Sequence, residues 1–310
     1  MRSDKWQVTS DKATAMAERD VRSCHLPPVT CHACRAGAER RRAFTLAEML
    51  TVLAIMGILA ALVVPVLKNV GHADATLTAG QQMLGDIGRA RQLAMSQRTT
   101  VYVVFLPEGF WTSLSPAQLA MPATTNLAGD QLTGYAFIAY GATGDQPGQH
   151  LWHYLTPWQS LPDGTFIPLW KFSQATPPFT FTDPIATSKS FSISPFDSTN
   201  GIPFPTETNN PADSSNLFLP YLAFNYLGQL ISSGKDSDPA GNGQDIPLAR
   251  GGVSPAFDPA TRTFVLSQTN TPAGLPQVVE VPPGNSTNAY NLIHIDPLTG
   301  RATLEQPKIQ

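Results

Sequence analysis

The sequence predicts an α+β chain in which a long N-terminal α-helix, with a transmembrane half and an amphipathic half, packs on an antiparallel β-rich C-terminal head with long loops. Three observations lead there. Met49 to Leu67 is a run of 19 residues without a charge, long enough at 1.5 Å per residue to cross a hydrocarbon core of about 30 Å. Beyond Lys68-Asn69 the apolar residues recur at helical spacing. From Thr100 onward the pattern becomes short β-branched and aromatic runs separated by Pro, Ser, Asn and Gly. Charged residues make up 14% of the chain, with 28 Pro and 23 Gly. A soluble globular protein has about 25% charged residues, so the composition favours a loop-rich, extracytoplasmic protein.

Charge is unevenly placed. Residues 1–43 carry nine Lys/Arg and five Asp/Glu, a net charge of +4, whereas the rest is at −7. A basic front ahead of an apolar run marks a cytoplasmic leader, because Lys and Arg resist crossing a membrane. The acidic remainder argues against a nucleic-acid partner, which needs a basic face. Cys24, Cys31 and Cys34 all lie in the first segment, so residues 44–310 can form no disulfide and are held by packing or assembly. Cys24-His25 and Cys31-His32 with Cys34 have zinc-ligand chemistry, but only the second pair has C-x₂-C spacing. A dispensable leader starting at Met1 or Met16 is the plainer reading.

Arg40-Arg41-Arg42-Ala43 is followed by Phe44-Thr45-Leu46-Ala47-Glu48-Met49 and then the apolar run with Pro65 near its end. An ordinary secretory signal has its small-residue cleavage site after the apolar core; here Ala43 stands before it. Glu48 is the single carboxylate at the entrance of an apolar helix, where burying a charge costs about 2.5–3.5 kcal/mol. Either it stays at the interface near the arginines, or it pairs with a neighbouring subunit's N-terminal amine inside a helix bundle, which lowers that cost and fixes axial register.

Ala43-Phe44-Thr45-Leu46-Ala47-Glu48-Met49 resembles the class III signal of type IV pilins and type II secretion pseudopilins, G/A–F-T-L-I-E-L. The resemblance implies a cut by prepilin peptidase between Ala43 and Phe44, methylation of the Phe44 amine, Glu48 as the assembly glutamate and Pro65 as the helix-kinking proline. Ala43 replaces the commoner Gly, and Ala47 replaces Ile or Leu. The implied organisation is a cytoplasmic leader (1–43), a transmembrane and assembly helix (44–67), its amphipathic continuation (68–97) and a β-rich head (98–310). The implied partners are prepilin peptidase, other pilin or pseudopilin subunits, an inner-membrane assembly platform and membrane lipid. The implied location is a single pass through the inner membrane, with the N-terminus cytoplasmic and the head periplasmic or extracellular.

Leu77, Met83, Leu84, Ile87, Ala90, Leu93 and Ala94 recur at helical spacing, with Asp86, Arg89 and Arg91 expected outward. One helix from about Phe44 to Ser96, bent at Pro65 and Gly71, satisfies the pattern; a break at Gly71 with a second short helix is the alternative. Strands are expected at 100–105, 135–140, 164–168, 217–226, 262–266, 278–281 and 292–295. Long surface loops are expected at 174–216 and 232–260. Gly88–Phe105, Leu161–Phe166, Leu222–Ser232 and Ile293–Ala302 are similar, in that order, to the A-R-x-x-A, L-P-x-G, F-x-x-x-G and closing T-G-R elements of the H-type minor pseudopilins. The closing D-P-x-T-G-R also resembles the Verru_Chthon cassette branch of prepilin-like proteins. Each motif alone is ordinary turn chemistry.

Signals for catalysis are thin, and the chain reads as a structural subunit, not an enzyme, with no cofactor or metal expected. His150 and His153 flank Trp152 at a spacing that suits a metal, but no H-E-x-x-H pattern or nearby carboxylate is read as supporting it, and a surface or half-buried aromatic cluster is the favoured reading. No G-x-S-x-G elbow, phosphate loop or Cys nucleophile occurs after residue 43. Asp236 to Asp245 has oxygen ligands and glycines, as in calcium loops of some major pseudopilins, yet it misses the EF-hand spacing. The alternative to an assembling subunit is a membrane-anchored binding or adhesion protein that does not polymerise.

Overall fold

The computed structural model describes residues 45–141, 144–146, 150–174, 179–182, 190–207, 215–232, 243–266, 274–288 and 291–305; the side-chain surroundings of 61–74, 179–182, 190–192 and 215 are outside that description. The chain divides into two compact units, Met1–Met56 and Gly57–Gln310. Its first element, α1, is a single helix over Leu46–Gln97. It runs through both Pro65 and Gly71 without the second helix start that the alternative required. The expected bend at Pro65 falls outside the described side chains.

In the first unit, Thr45 caps the helix: its Oγ1 accepts the Glu48 N–H at 3.2 Å, satisfying one of the four amides left open at a helix start. The apolar side chains here face solvent on every side, with Leu46 82% and Leu53 68% exposed.

In the second unit the helix becomes amphipathic. Ala79, Met83, Ile87, Ala90 and Ala94 are completely buried, with Leu84 and Leu93 packed beside them. These positions recur every three or four residues, which places them on one face; Leu77, expected on that face, is exposed. The helix closes on a Schellman-type turn, in which Thr99 N–H donates to the Ala94 carbonyl at 3.3 Å and Arg98 takes the left-handed conformation, φ 53°.

Thr100–Phe105 then enters an antiparallel sheet as its middle strand. The order across the sheet is Leu230–Ile231, Tyr221–Phe224, Thr100–Phe105, Gly134–Tyr140 and Trp152–Tyr154, with Gln159–Ser160 also on the fourth. All six residues of Thr100–Phe105 are buried. Val101, Val103 and Phe105 meet the helix stripe, while Tyr102 and Val104 face a second core with Trp111, Phe204 and Leu219. Both faces of the sheet are therefore covered, and the β-branched run T-V-Y-V-V-F suits such a strand.

A second antiparallel sheet has the order Gln277–Glu280, Gln244–Ser254, Asn291–Ile295 and Ala302–Glu305, with Thr165–Phe166 also on the second strand. Its central strand corrects the expectation of a loop over 232–260. Pro247 and the Gly251-Gly252 pair suppress strand propensity, but pairing on both sides overrides them. Gly251 is required there, since a Cβ would lie 2.2 Å from the Val279 carbonyl oxygen. The expected 174–216 loop likewise contains the strands Phe179–Thr182, Ser190–Ile193, Ile202–Phe204 and Ser215–Leu217. The expected strand over 217–226 is split into Ser215–Leu217 and Tyr221–Phe224 by Pro220.

Two residues expected to point outward do not. Asp86 accepts the Tyr135 hydroxyl at 2.5 Å, a phenol whose burial beside that carboxylate raises its pKa. Arg91 Nε donates to the carbonyls of Thr299 at 2.6 Å and Gly228 at 3.2 Å. A cation near a helix end has free carbonyls to serve in the turns beneath it, and the seven-residue sequence pattern cannot show those turns. Arg89 is exposed, as expected.

Candidate functional site

The segment that carries the strongest functional signal is the start of α1. Ala43 and Phe44, the expected cleavage pair and methylation site, lie outside the described residues. Glu48 is in the first helical turn and exposed. Thr45-Leu46-Ala47-Glu48 has the T-x-x-E spacing of a capping box, and the cap supplies half of it, from Thr45 Oγ1 to the Glu48 amide. A carboxylate in the first turn also faces the positive end of the helix dipole. The F-T-L-x-E pattern thus has a local reason for its Thr and Glu: each stabilises the helix start. Among the described residues no helix is long and apolar enough to cross a membrane; residues 61–67, the end of the apolar run, are among those whose side chains are not described.

The head adds features that sequence reasoning missed. A cleft of about 680 Å³ opens where α1 meets the first strand, lined by Gln97 and Arg98 from the helix end and by Tyr140, Trp152, Asn200 and Tyr226 from the head. Its aromatic wall is a ladder: His150 stacks on Tyr140 with centroids 5.2 Å apart and planes at 15°. Tyr140 meets Trp152 at 4.7 Å, and Trp152 meets Tyr102 at 5.1 Å. Gln97 Oε1 is buried without a hydrogen-bond partner. Only the Q-H-L-W-H-Y composition hinted at this wall; Gln97, Tyr140 and Asn200 come from three distant segments.

His150 and His153 separate. His150 joins the ladder, whereas His153 lies between two carboxylates, with Nε2 3.2 Å from Asp145 Oδ2 and Nδ1 3.5 Å from Glu207 Oε2. The expectation that no nearby carboxylate joins this pair is therefore corrected, by Asp145 eight residues before His153 and by Glu207 more than fifty residues after it. No group of three His, Cys, Asp or Glu is arranged to hold a metal ion among the described residues. Of the candidate calcium loop, 236–242 lies outside the described residues; Asp245 is in a strand and pairs with His294 Nδ1 at 2.7 Å.

One buried base is notable. Lys171 is fully buried, its Nζ donating to the Ser194 carbonyl at 2.5 Å and to Gln244 Oε1 at 2.9 Å, and sitting 4.5 Å from the Phe196 ring centroid. Burial pulls its pKa down to about 7, against the opposing charge of Asp245.

Residues 39–64 match the family model of the prokaryotic N-terminal methylation motif. The chain therefore carries the prepilin signal of type IV pilins and pseudopilins, a signal that implies processing by prepilin peptidase, interaction with other pilins and anchoring through the N-terminal helix. No curated protein and no solved structure matches the chain.

Proposed function

We propose that the chain is a pilin-like structural subunit, cut between Ala43 and Phe44, methylated on the Phe44 amine and assembled into, or priming, a type II secretion pseudopilus or type IV pilus. The prepilin signal carries this reading. Supporting it is the apolar start of α1, exposed around its circumference; a helix apolar on all sides needs lipid or other helices to cover it. In the assembled state Glu48 pairs with the N-terminal amine of a neighbouring subunit, and residues 44–67 form the membrane and bundle segment, with Pro65 as its kink. The leader 1–43 stays cytoplasmic. Residues 68–97 continue the helix onto a periplasmic or extracellular head, 98–310. The role is mechanical and recognitive, not catalytic, and the motif order along the head favours a minor H-type subunit.

Mass spectrometry of the mature N-terminus tests processing: a chain beginning at methylated Phe44 is expected, and an unprocessed chain or a cut elsewhere refutes it. The cleft in the head favours a second reading, an anchored binding or adhesion protein that does not polymerise. Replacing Glu48 by Ala separates the two. An assembling subunit then disappears from sheared filaments, whereas wild-type chain absent from filaments supports anchoring alone.

A further inference from the structure

We propose that the cleft between the end of α1 and the Trp152–Tyr154 strand is a binding site for a neutral oligosaccharide. Its volume lies in the range of small-ligand sites, roughly 300–1,000 Å³, and its lining is selective. The large apolar side chains of the lining are aromatic: Tyr102, Tyr140, Trp152 and Tyr226, with the His150 ring stacked on Tyr140, and among the described residues no Leu, Ile, Val or Met lines the cleft. A lipid ligand calls for aliphatic holes to receive its tails, and so does a peptide read through aliphatic side chains. A pyranose instead presents a flat face of slightly positive C–H groups, which suits the negative face of an aromatic ring.

The polar groups fit the same ligand. Gln97 Oε1 is a buried acceptor with no partner, a state that costs free energy until a donor arrives. Arg98 supplies donors, while Asn200, whose Nδ2 donates to the Tyr102 hydroxyl at 3.4 Å, and Asp145, which pairs with His153 at 3.2 Å, bring the remaining capacity of an amide and a carboxylate to the lining. Arg98 and Asp145 bring opposite charges to the lining, so the cleft offers no excess of positive charge to attract a phosphate or a polyanion. Such a mixture of donors and acceptors around rings matches hydroxyl groups, each of which both donates and accepts.

Backbone strain points to the same place. Arg98 holds φ 53° at a helix-terminal position where glycine is the usual occupant. Non-glycine residues kept in this region cluster at ligand clamps, and here the side chain so retained is a guanidinium at the cleft.

The site does not depend on filament assembly, so it is tested on the full processed chain, purified in a zwitterionic detergent without sugar head groups. Maltotetraose, cellotetraose and chitotetraose are titrated against Trp fluorescence, with tetraglycine as the peptide probe. Saturation-transfer NMR, irradiating the aromatic protons, reports which sugar C–H groups lie on the rings. Saturable binding of at least one oligosaccharide is expected, with transfer to one face of the sugar. Tyr140→Ala weakens it about threefold to tenfold, the share of one stacking contact. Gln97→Met also weakens binding, yet raises the thermal midpoint, because it removes an unmet buried acceptor; a purely structural Gln97 gives the opposite shift in midpoint. His150→Ala, at an exposed position, serves as a second variant that spares the core. The proposal is overturned if no oligosaccharide binds up to about 10 mM. It is equally overturned if tetraglycine competes as well as the sugars do, or if Tyr140→Ala and His150→Ala both bind as wild type.

Discussion

Lys171 makes the stability of the head rise with pH across a range where most proteins are level. Its pKa is drawn from 10.5 down to about 7 by complete burial. A base depressed in this way is neutral in the folded head above about pH 7, but still protonated in the unfolded chain up to about 10.5. The unfolded state thus binds more protons in that window, and the unfolding free energy climbs with pH by at most about 1.4 kcal/mol per unit. Three phenols limit the window from above. Tyr135 and Tyr154 are shifted strongly upward by burial, and Tyr221 is pushed up to about 12. They ionise in the unfolded chain first, so the folded state loses ground above about pH 10. Between pH 7 and 9.5 the expected gain is about 3 kcal/mol. Urea unfolding of the full chain at pH 7.0, 8.0, 9.0 and 9.5 (on the order of one-unit steps) measures it, alongside Lys171→Met. The Met variant keeps a similar volume and has no titration, so its profile is flat. A flat wild-type profile, or a variant that climbs in parallel, refutes the reasoning.

Other consequences follow from packing and turn geometry. Ile87→Ala opens a cavity beneath the first sheet, where Ile87 is completely buried, and lowers the unfolding free energy by about 2–5 kcal/mol in urea titrations. Arg91→Met strands the Thr299 and Gly228 carbonyls and costs about 1.5–3 kcal/mol, the worth of a charge-assisted hydrogen bond; Arg91→Lys recovers little, since the N–H that Nε directs at both carbonyls is lost. Arg98→Gly relieves the left-handed strain at the helix end and raises stability by about 1 kcal/mol in the same assay, at the expense of oligosaccharide affinity.

Periodicity made the amphipathic half of α1 and the strand Thr100–Phe105 legible, because both have dense apolar patterns and clear stops. It failed at Gln244–Ser254. There Pro247 and two glycines imitate a loop, and strand formation is decided by partners at 165–166, 277–280 and 291–295. Local sequence does not encode those distant pairings. The signal at Ala43–Met49 was readable for the opposite reason: it acts as a linear segment, so spacing alone holds its chemistry. The cleft was not readable, since its wall gathers side chains from residues 97, 140, 152 and 200, of which sheet register pairs only Tyr140 with Trp152 and tertiary packing brings in the other two.

The motifs in the head have a common physical origin that changes what they can be taken to report. Arg91 comes from the A-R-x-x-A segment, Gly228 from the F-x-x-x-G segment and Gly300 from the closing T-G-R. All three meet at one point: Arg91 binds the Gly228 carbonyl, and a Cβ on Gly300 would stand 2.1 Å from that same oxygen. A Cβ on Gly228 would press on Arg91 Nε at 3.1 Å and on the Met95 sulfur at 2.9 Å. The two turns can approach the helix this closely only if both positions lack a side chain, and their φ values of 77° and 61° independently favour glycine. These residues therefore record how a helix is locked to a β-rich head, a requirement shared by any subunit that must transmit position from its helix to its head. They carry no information about what the head contacts. Under the oligosaccharide proposal that choice rests with side chains such as Tyr140 and Gln97, which lie outside the contacts among Arg91, Gly228 and Gly300 and can vary while that lock stays the same.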